Sequence, residues 1–158
     1  MNEKFKNFFL ILLFILLSNC GFKVLDNTDI NDFKIEKISS SGYSKVNFII
    51  KKRLKDKTIE NSSNIVSINI DSKKSKIIKE KNLNKKIRKN EITIMSNFSI
   101  YFVGKNKNFE FKHSASADYL VSKNYADSLR TEKKIEKTLA STLANKIIKD
   151  INLIINDF

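Results

Sequence analysis

The sequence is poor in the residues from which covalent and catalytic sites are usually built. Its 158 residues include one cysteine, one histidine, three glycines, no proline and no tryptophan. A single cysteine leaves no pair for a disulfide and no set of thiolates for zinc. Three scattered glycines fit no phosphate-binding loop, and the acidic residues form no paired constellation. We therefore expect a protein that is not an enzyme and that needs no metal or cofactor.

The single histidine, His113, falls within an alternating stretch of the sequence. It shares its predicted strand face with Phe109 and Phe111. A lone histidine on an apolar face is far more often a packed residue than a catalyst. We therefore expect His113 to lie in the core or at the edge of a sheet.

The longest apolar run lies at the N-terminus. Lys4 and Lys6 precede ten consecutive apolar residues at 8–17. Ten helical residues rise roughly 15 Å, about half the thickness of the hydrocarbon core, so this run is too short to span a bilayer. A basic start, an apolar centre and a small polar exit are typical of a secretory signal peptide.

Cys20 stands directly after this run. The pattern Leu17-x-x-Cys20 resembles the bacterial lipobox, in which the cysteine thiol receives a diacylglycerol and becomes the new N-terminus. Two or more acyl chains hold a protein at a membrane, whereas one binds only marginally. We predict a signal peptide at residues 1–19, lipidation at Cys20 and a tether over residues 20–32. In the alternative, the run is an uncleaved anchor and Cys20 is an ordinary thiol.

The formal net charge of +13 is high, and residues 1–19 contribute only +1 of it, from Lys4, Lys6 and Glu3. Such a charge favours an anionic partner, such as nucleic acid, a membrane surface or an acidic lipid. Abundant Lys, Asn and Ile with only three arginines are also typical of an AT-rich genome, which would raise the charge whatever the function. Export disfavours nucleic acid, as does the placement of aromatic residues on strand faces instead of on a stacking platform.

Apolar spacing predicts one α+β domain at residues 33–158. Alternation predicts strands at residues 33–38, 65–79, 91–103 and 107–119. Spacings of three and four predict helices at residues 43–54 and 129–155. The simplest arrangement is a two-layer sandwich of about four mainly antiparallel strands, with two helices packed on one face in the order β-α-β-β-β-α.

Local signals place the ends of these elements. Serines 39–41 and Gly42 are expected to end the first strand, and the serines offer N-caps for the first helix. Asp127 or Ser128 is expected to cap the second helix. The short turn at residues 104–106 predicts an antiparallel hairpin between the last two strands.

Two stretches resemble the family of LPS-assembly lipoproteins called LptE, especially its alphaproteobacterial forms. CGFKVL at residues 20–25 is similar to the family's mature N-terminus. Residues 111–147, FKHSASADYLVSKNYADSLRTEKKIEKTLASTLANKI, are similar to its last strand, serine-alanine loop and closing helix. The order of the predicted elements also agrees with that family, so the resemblance covers almost the whole chain.

The resemblance implies a role in lipopolysaccharide export. A member of that family plugs the outer-membrane barrel LptD, supports its assembly and binds lipopolysaccharide. Gly21 stands where an aspartate would retain a lipoprotein in the inner membrane, so the family rule implies the outer membrane. Two alternatives remain: an envelope-assembly or structural lipoprotein without a lipid ligand, and an inner-membrane protein with an uncleaved anchor.

Residues 79–89 are the candidate contact surface for lipopolysaccharide, and we expect them to form a turn plus the start of the next strand. The candidate contacts are six basic side chains, with Glu80 as the only acid: Lys79, Lys81, Lys85, Lys86, Arg88 and Lys89. Ammonium groups at a hairpin tip can meet lipid A phosphates as point charges. A solvated loop in a lysine-rich chain is the competing interpretation.

Overall fold

The computed structural model describes residues 33–157. The predicted signal peptide, the lipidation at Cys20 and the tether lie outside the described residues. Within them, strands and helices follow the order β-α-β-β-β-α. They are β1 (Lys34–Gly42), α1 (Ser44–Lys55), β2 (Ile65–Lys81), β3 (Ile87–Phe102), β4 (Lys107–Leu120) and α2 (Tyr125–Asn156), with a short 3-10 helix (Val103–Lys105) between β3 and β4.

The four strands form one open sheet in the order β1-β2-β3-β4. β1 and β2 are parallel, and α1 is the crossover that a parallel pair requires. The other two pairs are antiparallel, and the predicted hairpin between β3 and β4 is among them. The predicted fold class, α+β with a mainly antiparallel four-stranded sheet, is confirmed.

Both helices cover the same face of the sheet. α1 packs on β1 and β2, α2 packs on β3 and β4, and the helices contact each other. Register places Ile68 opposite Ile100 and Ile70 opposite Phe98, so alternate residues of β2 and β3 form a continuous apolar surface. The helices fill this surface with fully buried side chains: Val46, Ile50, Leu54, Leu143, Ile147 and Ile151.

β1 is longer than predicted, because the serines at residues 39–41 pair with β2 and do not form a turn. The Ser39 hydroxyl donates to the Asn69 side chain at 3.0 Å, and the Ser41 hydroxyl donates to Asp71 at 2.9 Å. β1 therefore continues to Gly42, whose φ of +79° turns the chain into α1.

Neither predicted helix cap is used. α1 follows Tyr43, which makes no side-chain cap, and α2 starts earlier than predicted, after Asn124. The Asn124 side-chain oxygen accepts a hydrogen bond from the amide of Ala126 at 3.0 Å. Ser128 instead accepts a hydrogen bond from the amide of Ser122 at 2.8 Å, which fixes the loop before the helix.

The domain is elongated between two distinct ends. β1 and β2 start together, with Lys34 beside Ile65, at the end where the chain arrives from Cys20. β2 then runs for 17 residues, about 50 Å, to a turn at residues 82–86. We call these the chain-entry end and the hairpin end. No helix within residues 33–157 combines the length and apolarity needed to cross a bilayer.

Candidate functional site

The hairpin end is a turn tied together by Asn82. The amide of Asn82 donates to the Lys86 carbonyl at 2.8 Å, and the Asn82 carbonyl accepts from the amide of Lys85 at 2.9 Å. The Asn82 side-chain oxygen also accepts from the amide of Lys86 at 2.8 Å. Lys85 adopts a left-handed conformation with φ of +60°, and Leu83 is fully exposed. The turn therefore presents an apolar side chain among basic ones.

Three of the six predicted contact residues are paired with carboxylates. Lys79 lies 2.5 Å from Glu91, Lys89 lies 2.6 Å from Asp118, and Arg88 lies 3.6 Å from Glu80. The hydrogen bond to Glu91 raises the pKa of Lys79 above its ordinary value. These three cations are partly neutralised where the sequence predicts free charge.

The other three predicted residues, Lys81, Lys85 and Lys86, form no ion pair within residues 33–157 and are exposed. We call them the tip cations. Lys81 and Leu83 line a shallow depression of about 420 Å³ with Asn82, Asn84 and Arg88. The tip cations can therefore approach an anion without first breaking an internal ion pair.

A network of charges joins α2 to Lys74 and Lys76 of β2. We call this part of the β2–β3 hairpin, where it leaves the apolar core, the base of the hairpin. Lys74 Nζ lies 2.5 Å from Glu132 and also contacts Glu136. Lys76 Nζ lies 2.6 Å from the second carboxylate oxygen of Glu132. The Tyr119 hydroxyl donates to Glu132 at 2.9 Å, and the Tyr43 hydroxyl donates to Glu136 at 3.1 Å. We call these six side chains the ion network; its two ammonium groups balance its two carboxylates.

Hydrogen bonds within the ion network shift the pKa values of Lys74 and Glu132 toward their charged forms. Burial alone would raise the pKa of Glu132, but hydrogen bonds from Lys74, Lys76 and Tyr119 lower it to about 2. Burial would likewise lower the pKa of Lys74, and its hydrogen bonds to the two glutamates raise it instead. Lys74 and Glu132 are therefore both charged at neutral pH.

Sequence reasoning missed the ion network, although a signal for it exists. The alternation of Ile68, Ile70 and Ser72 along β2 continues through Lys74 and Lys76, which places both lysines on the helix-facing side. The spacing of four that joins Ala144 and Ala140 on α2 continues through Glu136 and Glu132. The core-facing positions of β2 thus change to lysines, and those of α2 change to glutamates. Opposite charges on two faces that pack together indicate a buried ion pair between them.

A cleft of about 380 Å³ opens beside the ion network, between the base of the hairpin and the start of α2. Its walls combine Lys76, Glu132 and Lys123 with apolar side chains. The lining includes Ile87, Val121, Leu129, Tyr119 and Tyr125. Asn90 also lines it, is only 5% exposed, and donates from its side-chain nitrogen to the Tyr119 hydroxyl at 3.3 Å. Its side-chain oxygen has no partner among the described residues.

His113 lies at the edge of the sheet, on the helix-facing side of β4 as predicted. Its Nε2 is 2.5 Å from the Asp150 carboxylate of α2. Its ring stacks on Phe111 with centroids 6.2 Å apart. His113 therefore joins the end of α2 to the outer strand.

Comparison with solved structures identifies proteins of the same fold. The rare lipoprotein B from Shewanella oneidensis superposes with a TM-score of 0.59 at 16% identity, covering 77% of this chain and 97% of that one. The uncharacterized lipoprotein B from Nitrosomonas europaea superposes with a TM-score of 0.53 at 11% identity, covering 80% and 88%. Identities this low show a shared fold alone. No protein-family model and no curated protein matches the sequence.

Proposed function

We propose that this chain is an outer-membrane lipoprotein of lipopolysaccharide export, of the LptE type. It would plug an LptD-type barrel, support the assembly of that barrel and bind lipopolysaccharide. The observation that carries the proposal is the likeness to rare lipoprotein B, which spans nearly the whole of that chain. The lipobox-like Leu17-x-x-Cys20 and the family-like residues 111–147 support it independently.

The hairpin end supports binding of an anionic amphiphile. The tip cations offer ammonium groups for phosphates, and the exposed Leu83 stands among them. The cleft at the base of the hairpin adds apolar walls formed by Ile87, Val121 and Leu129. Cations and apolar surface on one hairpin suit a ligand that carries both phosphates and acyl chains, which is the chemistry of lipid A.

The uncovered face of the sheet supports a place inside a barrel. It carries hydroxyl, amide and charged side chains, among them Ser67, Asn69, Asn97 and Ser99. The inner walls of outer-membrane barrels are polar, so these side chains can find hydrogen-bond partners on such a wall. In this proposal the chain acts by binding, not by catalysis.

Co-purification from detergent-solubilised outer membrane tests the proposal. A C-terminal tag on the full chain is expected to retain a barrel protein of the LptD type together with lipopolysaccharide. A tagged domain that lacks residues 1–19, and so is not exported, is the control for nonspecific capture. Retention of neither the barrel nor lipopolysaccharide would contradict the proposal and leave the alternative, an envelope-assembly or structural lipoprotein without a lipid ligand.

A further inference from the structure

We infer that the outer face of α1 docks on the anionic phospholipid surface of the membrane that holds the anchor. We call this surface the basic face of α1: Lys45, Phe48, Lys51, Lys52 and Lys55. The inference goes beyond barrel plugging and lipopolysaccharide binding, and it rests on the lipidation at Cys20 proposed above. It concerns the chain-entry end of the domain, whereas the candidate lipopolysaccharide contacts lie at the hairpin end.

Helical spacing places these side chains together. Val46, Ile50 and Leu54 are buried against the sheet and α2. Lys45, Phe48, Lys52 and Lys55 follow spacings of three and four on the opposite side. Phe48 is 70% exposed at the middle of this stripe. An exposed aromatic ring among lysines can enter the headgroup boundary while the ammonium groups meet anionic headgroups.

The cations of the basic face carry no internal counter-charge. α1 contains no Asp or Glu, and its last turn is basic. Within residues 33–157, none of its four lysines forms an ion pair. This separates the basic face from Lys74, Lys76 and Lys79, which are all paired with carboxylates. A surface of lysines without counter-charge is complementary to anionic headgroups.

A shallow depression of about 610 Å³ lies beside Phe48, between α1 and β1. Ser40, Ser44 and Lys45 line it together with Asn47, which is only 2% exposed. The Asn47 side-chain nitrogen donates to the Ser41 carbonyl at 2.6 Å, and its oxygen has no partner among the described residues. A lipid headgroup can rest in this depression against the hydroxyl groups of Ser40 and Ser44 and the ammonium group of Lys45.

The basic face lies at the end of the domain that the anchor reaches. The Phe33 carbonyl accepts hydrogen bonds from the amide of Ile59 at 2.9 Å and from the Thr58 hydroxyl at 3.1 Å. The amide of Thr58 donates in turn to the Lys55 carbonyl at 3.3 Å, so the C-terminal end of α1 adjoins Phe33. The thirteen residue steps from Cys20 to Phe33 span at most about 45 Å. A lipid at Cys20 therefore keeps the basic face near the bilayer.

The hairpin end lies outside the surface through which α1 would meet that bilayer. β2 separates the two ends by about 50 Å, so docking through α1 leaves the tip cations free for another ligand. The two basic surfaces thus have separate partners in this arrangement. The phospholipid surface meets α1, and the phosphorylated glycolipid of the proposed function meets the hairpin.

The absence of tryptophan permits a direct test. Phe48→Trp places a single emitter in the basic face, and Leu83→Trp places one at the hairpin tip. The acylated full-length variants are reconstituted into vesicles of phosphatidylcholine with or without phosphatidylglycerol, and quenching by brominated lipids is measured. We expect the emission of the Phe48→Trp variant to shift to shorter wavelength and to be quenched only in the phosphatidylglycerol vesicles, and salt to reverse both effects. The emission of the Leu83→Trp variant should be the same in both lipids.

Charge variants in the Phe48→Trp background test the cause. Changing Lys45, Lys51, Lys52 and Lys55 to Gln should abolish most of the quenching. The matched control removes the same charge from four exposed lysines of α2: Lys133, Lys134, Lys137 and Lys149. Equal losses of quenching in both variants would overturn the inference that the basic face of α1 is the contact, because net charge alone would then explain binding. Quenching in the Leu83→Trp variant instead of the Phe48→Trp variant would overturn it by identifying the hairpin as the membrane contact.

Flotation of the vesicles separates this inference from the proposed function. If the Phe48→Trp variant floats with both lipids but its emission is the same in both, the chain has an anchor without docking, which overturns the inference. Protein that does not float with neutral vesicles lacks the lipid, which contradicts the proposed lipoprotein. Quenching of the Phe48→Trp variant by added phosphatidylglycerol vesicles still decides docking in that case.

Discussion

Lys74 of β2 and Glu132 of α2 meet with Nζ and Oε1 only 2.5 Å apart, and both side chains are largely shielded from water. Removing one partner of a shielded ion pair leaves the other charge without a counter-charge and poorly solvated. Such a removal therefore destabilises the fold even where the pair itself adds little net stability. This contact lies where the apolar core ends and the hairpin begins. It therefore fixes the base of the hairpin against α2.

Glu132→Gln should make stability less dependent on pH in acid. The folded-state pKa of Glu132, about 2, is below its ordinary value of 4.5, so its ionisation stabilises the fold above pH 4.5, and this contribution disappears as the pH falls toward 2. The shift corresponds to about 3 kcal/mol at neutral pH. We expect the variant to be destabilised by that order at pH 7, and the difference from the parent to shrink steadily in denaturant titrations below pH 4.5.

Glu110→Gln is the matched control, because it removes a carboxylate from an exposed position on the other face of the sheet. It should change the free energy of unfolding by less than about 0.5 kcal/mol. A difference between Glu132→Gln and the parent that stays constant from pH 7 to pH 2 would contradict the linkage.

Apolar periodicity was sufficient to predict the layers of this fold. Ile100 and Phe102 on β3 and Leu139 and Leu143 on α2 lie in the core because their spacing matches the period of their element. The end of β1 could not be predicted in the same way. Serine and glycine favour turns locally, and only the side-chain contact of Ser41 with Asp71 on β2 shows why the strand continues.

The ion pairs at the candidate site could not be predicted from the sequence, because charge pairing depends on register. The sequence shows that Lys79 and Lys89 lie in a basic segment. It does not show that the sheet brings Glu91 beside Lys79 and Asp118 beside Lys89. Only Lys81, Lys85 and Lys86 extend beyond these acids, so three of the six basic side chains have no ion pair among the described residues.

Gly42→Ala should destabilise the domain by more than about 1 kcal/mol. Gly42 has φ of +79°, and a Cβ there would lie 2.2 Å from the Ser72 carbonyl oxygen. That carbonyl accepts the amide of Tyr43 at 2.7 Å, so it cannot move away without loss of the β1–β2 junction. Thermal unfolding measures the change. Gly104→Ala is the control, since no atom lies within 4 Å of its added Cβ, and equal losses in both variants would contradict this explanation.

Leu143→Ala should destabilise the domain by about 2–5 kcal/mol, because it leaves a cavity between α2 and the sheet. Leu143 is fully buried at the centre of the apolar stripe of α2. Lys137→Ala, at an exposed position of the same helix, should change the free energy of unfolding by less than about 0.5 kcal/mol. Chemical denaturation measures both values, and similar values would contradict the packing of α2 on the sheet.

Cys20→Ala should abolish acylation of the chain. The thiol is the only one in the sequence, so no other cysteine can replace it. Metabolic labelling with palmitate should mark the parent and not the variant, and the variant should remain unprocessed or leave the membrane fraction. Equal labelling of the two chains would exclude the lipobox interpretation and favour an uncleaved anchor.

Removing the tip cations should weaken lipopolysaccharide binding without unfolding the domain. The variant combines Lys81→Ser, Lys85→Asn and Lys86→Ser, and asparagine is chosen because it tolerates the left-handed backbone of Lys85. Exposed charge contacts contribute about 0.2–1 kcal/mol each, so three together predict a loss of affinity between about 3-fold and 150-fold. Binding of the parent should also weaken with added salt, because surface charges are screened beyond about 8–10 Å.

The matched control removes three exposed lysines from α2 by changing Lys133, Lys134 and Lys137 to Gln. Both variants lose the same net charge, so a purely nonspecific attraction would weaken equally in each, whereas the hairpin site predicts a loss only in the first. Because the tip cations make no ion pair among the described residues, their removal should leave the melting temperature unchanged. Undiminished lipopolysaccharide binding by the hairpin variant would exclude the hairpin tip as the binding site and direct attention to the cleft lined by Lys76 and Lys123.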